Sequence, residues 1–167
     1  MSDLQLSGSN EIKESLKIEN QAKSGANWFF WIGGLSLVNS VLLISGANIN
    51  FPIGLGMTQL IDGFTLNASF EAQTIGRMMN AVVAGMFFYL GYMARKNHLW
   101  AFITGLVLYA ADALLFLMVG DWLSMGFHAW GFICIYGGWK AASQIVKSQA
   151  AMPYQPTTAP PVGTFQR

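Results

Sequence analysis

The chain has 167 residues, of which 53% are hydrophobic, 14% aromatic and only 10% charged, with a net charge of +1. Soluble domains carry about 25% charged residues, so these charges are too few to cover a water-facing surface, and the balance leaves no electrostatic footprint for nucleic acid. The single cysteine, Cys134, rules out an internal disulfide.

Residues 1–27 are polar and mixed in charge, and read as a cytoplasmic N-terminal segment rather than a cleavable signal, because no apolar run stands near the start. Within it, Ile12 and Leu16 stand four apart among charges, which suits a short surface helix or no order at all. The first apolar run, "WFFWIGGLSLVNSVLLISG", extends from Trp28 to Gly46 and is long enough to cross a bilayer.

Next comes "FPIGLGMTQLIDGF", residues 51–64, which is apolar but shorter than the roughly 20 residues that a span requires. On a helix, Ile53, Met57, Leu60, Ile61 and Phe64 gather on one side and Thr58, Gln59 and Asp62 on the other. Pro52 suits a first turn and Gly63 a helix end. The pattern predicts an amphipathic lid helix in an outer loop, with its stripe against lipid or the spans and its polar side toward water or a shallow cavity. A re-entrant hairpin is the less economical alternative, because its broken backbone needs burial in protein.

Three further apolar runs follow, about Ala72 to Ala94, Leu99 to Val119 and Trp122 to Trp139. The expected fold is therefore all-α: a four-transmembrane-helix bundle over residues 28–148, with the short amphipathic helix in its first outer loop. Lys13, Lys17 and Lys23 precede the first run, Arg95 and Lys96 follow the second, and Lys140 and Lys147 follow the fourth; the other two connections carry no Lys or Arg. This alternation puts both termini in the cytoplasm, most simply at a plasma (inner) membrane. Residues 149–167, with "MPYQPTTAPPVGTFQR", read as a disordered Pro-rich tail.

Polar side chains inside spans are costly, about 2.5 to 3.5 kcal/mol for Asp or Arg at a helix centre. Asn39, Arg77, Asn80, Asp112 and His128 all fall at roughly 8 to 12 Å from the outer ends of their runs, counting 1.5 Å per residue. Helical phase puts Gly33, Ser36, Asn39 and Ser40 on one side of the first run and Gln73, Arg77, Asn80 and Ala84 on one side of the second. Ala101, Gly105 and Asp112 align in the third, with Tyr109 nearby, and Asp121, Ser124, His128, Gly131 and Ile135 in the fourth. Small residues beside polar ones are what close helix packing in lipid selects. The most economical pairing is Arg77 with Asp112.

Two readings compete. In one, the layer is structural and fixes helix register; in the other, it is an outward-facing site for a small solute, an ion or a proton, built from Arg77, Asp112, His128, Asn39 and Asn80 and covered by the Thr58, Gln59 and Asp62 face of the lid. Catalytic and metal readings fare worse. Asp121, Ser124 and His128 lie on one helix, where a shaped oxyanion hole is not implied. His98 and His128 stand near opposite ends of the bundle, so they cannot share a haem iron, and the nine methionines are scattered as packing residues are. No cofactor, metal or catalytic residue is expected. The reading is of a non-enzymatic multi-pass subunit or scaffold whose partners are the bilayer and a second copy or another membrane protein; a transport component is the alternative and an intramembrane enzyme the third.

Overall fold

The computed structural model describes residues 2–46 and 54–151. Among the described residues it is all-helical, with five helices in the order α1 (Ser2–Ile44), α2 (Gly56–Thr65), α3 (Phe70–Arg95), α4 (Leu99–Val119) and α5 (Trp122–Ala151). The expectations for residues 51–53 and for the tail beyond Ala151 lie outside the described residues.

Two helices, α1 from Gly8 and α4, are long and apolar enough to cross a membrane. In α3 the polar run through Gln73, Arg77 and Asn80 dilutes the apolar character, and in α5 Ser124, His128 and Lys140 do the same.

The N-terminal segment is corrected by the structure. It is neither a separate surface helix nor irregular, but the first half of one 43-residue helix that runs unbroken into the first apolar run. No proline interrupts it, and Lys23 pairs with Glu19 one turn away at 2.6 Å. At the other end of the chain, α5 continues about three turns past Trp139.

Helix α1 packs against α3 and α5, and α4 against α5 and α3, so that these long helices surround a shared core. Phe29, fully buried, sits at its centre against Phe87 and Phe102 with ring centroids 6.3 and 6.1 Å away. Gly105 makes room for that ring: a Cβ there would collide with it. Helices α1 and α5 meet through Gly25 and Gly138, where a Cβ on Gly25 would lie 2.5 Å from the Gly138 Cα. Close backbone approach through small residues is the packing that apolar surroundings favour.

The outer surface is apolar where the interior is polar. Met78, Met79 and Val82 of α3 and Trp122, Trp130 and Ile133 of α5 are exposed, while Ser36, Asn39, Asn80, Asp112, Ser124 and His128 are buried. Arg77 apart, Lys and Arg side chains mark one end of the bundle, where Arg95 donates to Asn27 Oδ1 at 2.8 Å and lies over the Phe30 ring. Helix α2 closes the opposite end, packed against α3, α1 and α4.

Candidate functional site

The site is the polar layer between α2 and the longer helices. Helix α2 begins at Gly56 behind Leu55, whose side chain cannot cap it. The first N–H groups of any helix lack intrahelical acceptors and must find them elsewhere. Here Asp112 of α4 supplies both: its Oδ2 accepts from Gly56 N–H and its Oδ1 from Met57 N–H, each at 2.8 Å. A carboxylate at a helix N-terminus also meets the positive end of the helix dipole. The Leu55 N–H donates to Ser36 Oγ of α1 at 2.8 Å, so the approach to α2 is tied down as well. Gly56 is required by the closeness of α4, since a Cβ there would lie 2.7 Å from the Phe116 ring.

His128 stands behind Asp112. Its Nδ1 is 2.8 Å from the Ser124 carbonyl oxygen and its Nε2 is 3.0 Å from Asp112 Oδ2. A carbonyl only accepts, so Nδ1 is the donor to Ser124 and Nε2 faces the Asp112 carboxyl. The ring stacks on Tyr109 at 4.4 Å between centroids and meets Phe116 at 4.8 Å. Gly131 leaves room for Tyr109, as a Cβ there would lie 3.0 Å from its ring and hydroxyl.

The far end of α2 is held by its own aspartate. Asp62 Oδ2 accepts from Ser40 Oγ of α1 at 2.7 Å, and Oδ1 accepts from Asn80 Nδ2 of α3 at 2.7 Å. Asn80 Nδ2 also reaches Ser40 Oγ at 3.1 Å and the Thr58 carbonyl at 3.3 Å. Thr58 is buried, its hydroxyl donating to the Leu55 carbonyl at 2.8 Å. Gly76 of α3 lets α2 lie close, because a Cβ there would come within 2.9 Å of Thr65.

Of the two directions that the sequence leaves open for α2, the structure takes the one with the polar side toward the protein and the apolar side outward. Thr58 and Asp62 point into the protein and Gln59 is half-buried, whereas Met57 and Phe64 are exposed, Phe64 at 83%. The polar side does not face water. It makes the hydrogen bonds that hold α2 in place.

Arg77 departs further. It does not pair with Asp112: its guanidinium is exposed and donates to Gln73 Oε1 on its own helix at 3.1 Å. The physical reason is phase. Gly76, Asn80, Ala84 and Phe87 form the buried face of α3, and Arg77 stands about 100° round from Gly76 at its rim. Arg77 and Asp62 do line one small cavity of about 100 Å³ together with Gln73 and Thr65. Asn39 is buried with Gly54 against its amide.

Of the predicted layer, the structure brings Asp112 and His128 into one hydrogen-bonded group and Asn80 into another around Asp62; Arg77 belongs to neither. Sequence reasoning missed that backbone N–H groups are the partners of Asp112. The signal was present: Leu55 precedes Gly56 where Ser, Thr, Asp or Asn would mark a self-capped helix.

Ser124 Oγ donates to Asp121 Oδ2 at 2.6 Å, and His128 contacts the Ser124 carbonyl rather than its hydroxyl, so no nucleophile–base pair forms. The Ser124 hydroxyl and, next, the Ser124 N–H, which donates to Asp121 Oδ1 at 3.1 Å, hold the Asp121 carboxyl below its usual range. No group of His, Cys, Asp and Glu among the described residues could hold a metal ion. No known family, curated protein or solved structure matches the chain.

Proposed function

We propose that this chain is a multi-pass membrane protein with four spans, α1, α3, α4 and α5, and that α2 is a short membrane-embedded segment closing the outer side. The inverted amphipathicity supports this: polar side chains are buried against one another and apolar ones point outward on every long helix. The distribution of Lys and Arg supports a topology with both termini in the cytoplasm.

Its function is that of a non-enzymatic subunit or scaffold of a membrane assembly. One observation carries this reading: both buried carboxylates of the polar layer, Asp112 and Asp62, are engaged in fastening α2. The part free to meet a partner is the basic end. A 43-residue helix is about 65 Å long, roughly twice the hydrocarbon thickness, so α1 and the end of α5 project together from the membrane. Between them lies a cleft of about 430 Å³ lined by Ile18, Lys23, Arg95, Asn97 and Ile145 among others.

A photocrosslinker at Ser15 or Gln149 of this cleft should give one discrete adduct of higher mass in the native membrane. Exclusive recovery of the single chain would count against the assembly role. The second reading, a proton or small-solute pathway, is favoured by the 3.0 Å contact between two buried protonatable groups, Asp112 and His128. Proteoliposomes separate the two: flux that disappears in folded Asp112→Asn protein would establish the pathway, and its absence leaves the scaffold.

A further inference from the structure

Beneath the start of α2, between α3 and α4, a cavity of about 220 Å³ opens sideways. Leu55, Phe87 and Asp112 form its buried floor, and Met57, Met86 and Ala111 its exposed rim. Among the described residues, Asp112 is the one polar side chain in a lining that is otherwise apolar.

The hydrogen bonding of that carboxylate is unequal. Oδ2 accepts from Gly56 N–H and faces His128 Nε2, which fills both of its lone pairs. Among the described residues Oδ1 accepts from Met57 N–H alone, and a carboxylate oxygen has room for two donors. One acceptor position is therefore open in an apolar chamber. A cation is a poor match, because the lining offers it one carboxylate and no further oxygen ligand from a side chain. A second carboxylate or phosphate brings acceptors only and finds no side-chain donor in this lining. A neutral donor fits, and in apolar surroundings a single O–H···O⁻ bond discriminates strongly against a ligand that lacks it.

We propose that this cavity binds a neutral, membrane-dissolved amphiphile about one ring in size, a phenol or alcohol whose single hydroxyl donates to Asp112 Oδ1 while its carbon skeleton fills the space between α3 and α4. The proposal rests on the membrane placement above, through which such a ligand reaches the rim from the lipid, but not on the assembly role.

The test uses the full chain in nanodiscs, with 4-propylphenol as the probe and 4-propylanisole, its O-methylated counterpart, as the control. Equilibrium dialysis should show about one 4-propylphenol retained per chain above empty nanodiscs, with 4-propylanisole at least tenfold weaker. Ala111→Trp covers the mouth from an exposed rim position that holds no core contact, and should abolish retention of the phenol while leaving the thermal unfolding temperature unchanged. Equal retention of the two compounds would overturn the hydrogen bond to Asp112, and retention unchanged in Ala111→Trp would overturn the location. No excess over empty nanodiscs would overturn the site. A chain that fails to enter nanodiscs at all would instead overturn the membrane placement, and the site with it.

Discussion

Asp112 of α4 closes the amino end of α2, its two carboxylate oxygens taking the N–H groups of Gly56 and Met57 at 2.8 Å each. The two residues that start α2 are more than fifty positions away in the chain from the side chain that completes it. A ten-residue helix is marginal in isolation. Its persistence at this place therefore depends on α4 at one end and on Ser40 and Asn80 at the other.

Replacing Asp112 by Ala should strip that support. It leaves the buried Gly56 N–H and the part-buried Met57 N–H without acceptors, at about 1–3 kcal/mol for a buried group, and removes the partner of His128. A loss of about 3–5 kcal/mol is expected, with Asp112→Asn smaller because one acceptor oxygen remains. Hydrogen exchange resolves where the loss falls: peptides covering residues 55–65 should exchange faster than those from α4. Uniform acceleration across the whole chain would show that Asp112 supports the entire core rather than the α2 latch.

Arg77→Gln should change stability by less than about 0.5 kcal/mol, as exposed substitutions do. Combined with Asp112→Asn, its effect should simply add, within about 0.5 kcal/mol. Rescue of Asp112→Asn by Arg77→Gln would show instead that the two charges interact in the folded protein.

The pair Asp62 and Asn80 should behave in the opposite way. They lie 2.7 Å apart between donor and acceptor and are both buried. A double-mutant cycle of Asp62→Asn and Asn80→Ala, read by thermal unfolding in detergent, should give a coupling energy of about 1–3 kcal/mol. Additive losses would mean that each side chain acts through other contacts.

What could be read from the sequence, and what could not, divides along physical lines. Helix α4 spans Leu99–Val119, coinciding with the third apolar run, and α5 begins at Trp122 where the fourth does. Length and apolar content mark such segments without any knowledge of neighbours. The phase of Ser36, Asn39, Asp112 and His128 was equally legible, because all are buried. The direction of α2 was not. Periodicity separates Thr58 and Asp62 from Met57 and Phe64, yet which set points inward depends on whether water or hydrocarbon lies outside. Arg77 was misassigned because a helical face read at 100° per residue has soft edges, and Gly76 beside it, cleared for Thr65, marks the true centre of contact. The unbroken α1 escaped detection because a polar helix carries no hydropathy signal.

Two glycines of α1 should respond oppositely to the same substitution. Gly25→Ala places a Cβ 2.5 Å from the Gly138 Cα, a backbone atom that cannot rotate away, and should cost about 1–3 kcal/mol by forcing α1 and α5 apart. Gly34→Ala meets nothing within 4 Å and should be neutral or stabilising by up to about 1 kcal/mol through helix propensity. Unfolding temperatures measured side by side decide it. Equal tolerance at both sites would mean that α1 and α5 do not approach through Gly25.

Asp121 gives the chain a pH dependence whose sign can be worked out. It precedes α5 and accepts both the Ser124 hydroxyl at 2.6 Å and the Ser124 N–H at 3.1 Å, and these bonds lower its folded pKa below the ordinary value of 3.8. A group whose pKa is lower in the folded state adds stability at pH values above the unfolded pKa. That contribution disappears as pH falls through the folded pKa, because the protonated carboxyl no longer favours the folded form. Asp121→Ala should therefore lower stability by about 1 kcal/mol at neutral pH, the usual worth of a helix cap. Between pH 5 and pH 2 the gap between the two proteins should narrow. Asp121→Asn retains a capping oxygen but cannot ionise, so it should keep part of the stability and lose the narrowing. A gap that stays constant down to pH 2 would show that the Asp121 charge contributes nothing to holding the start of α5.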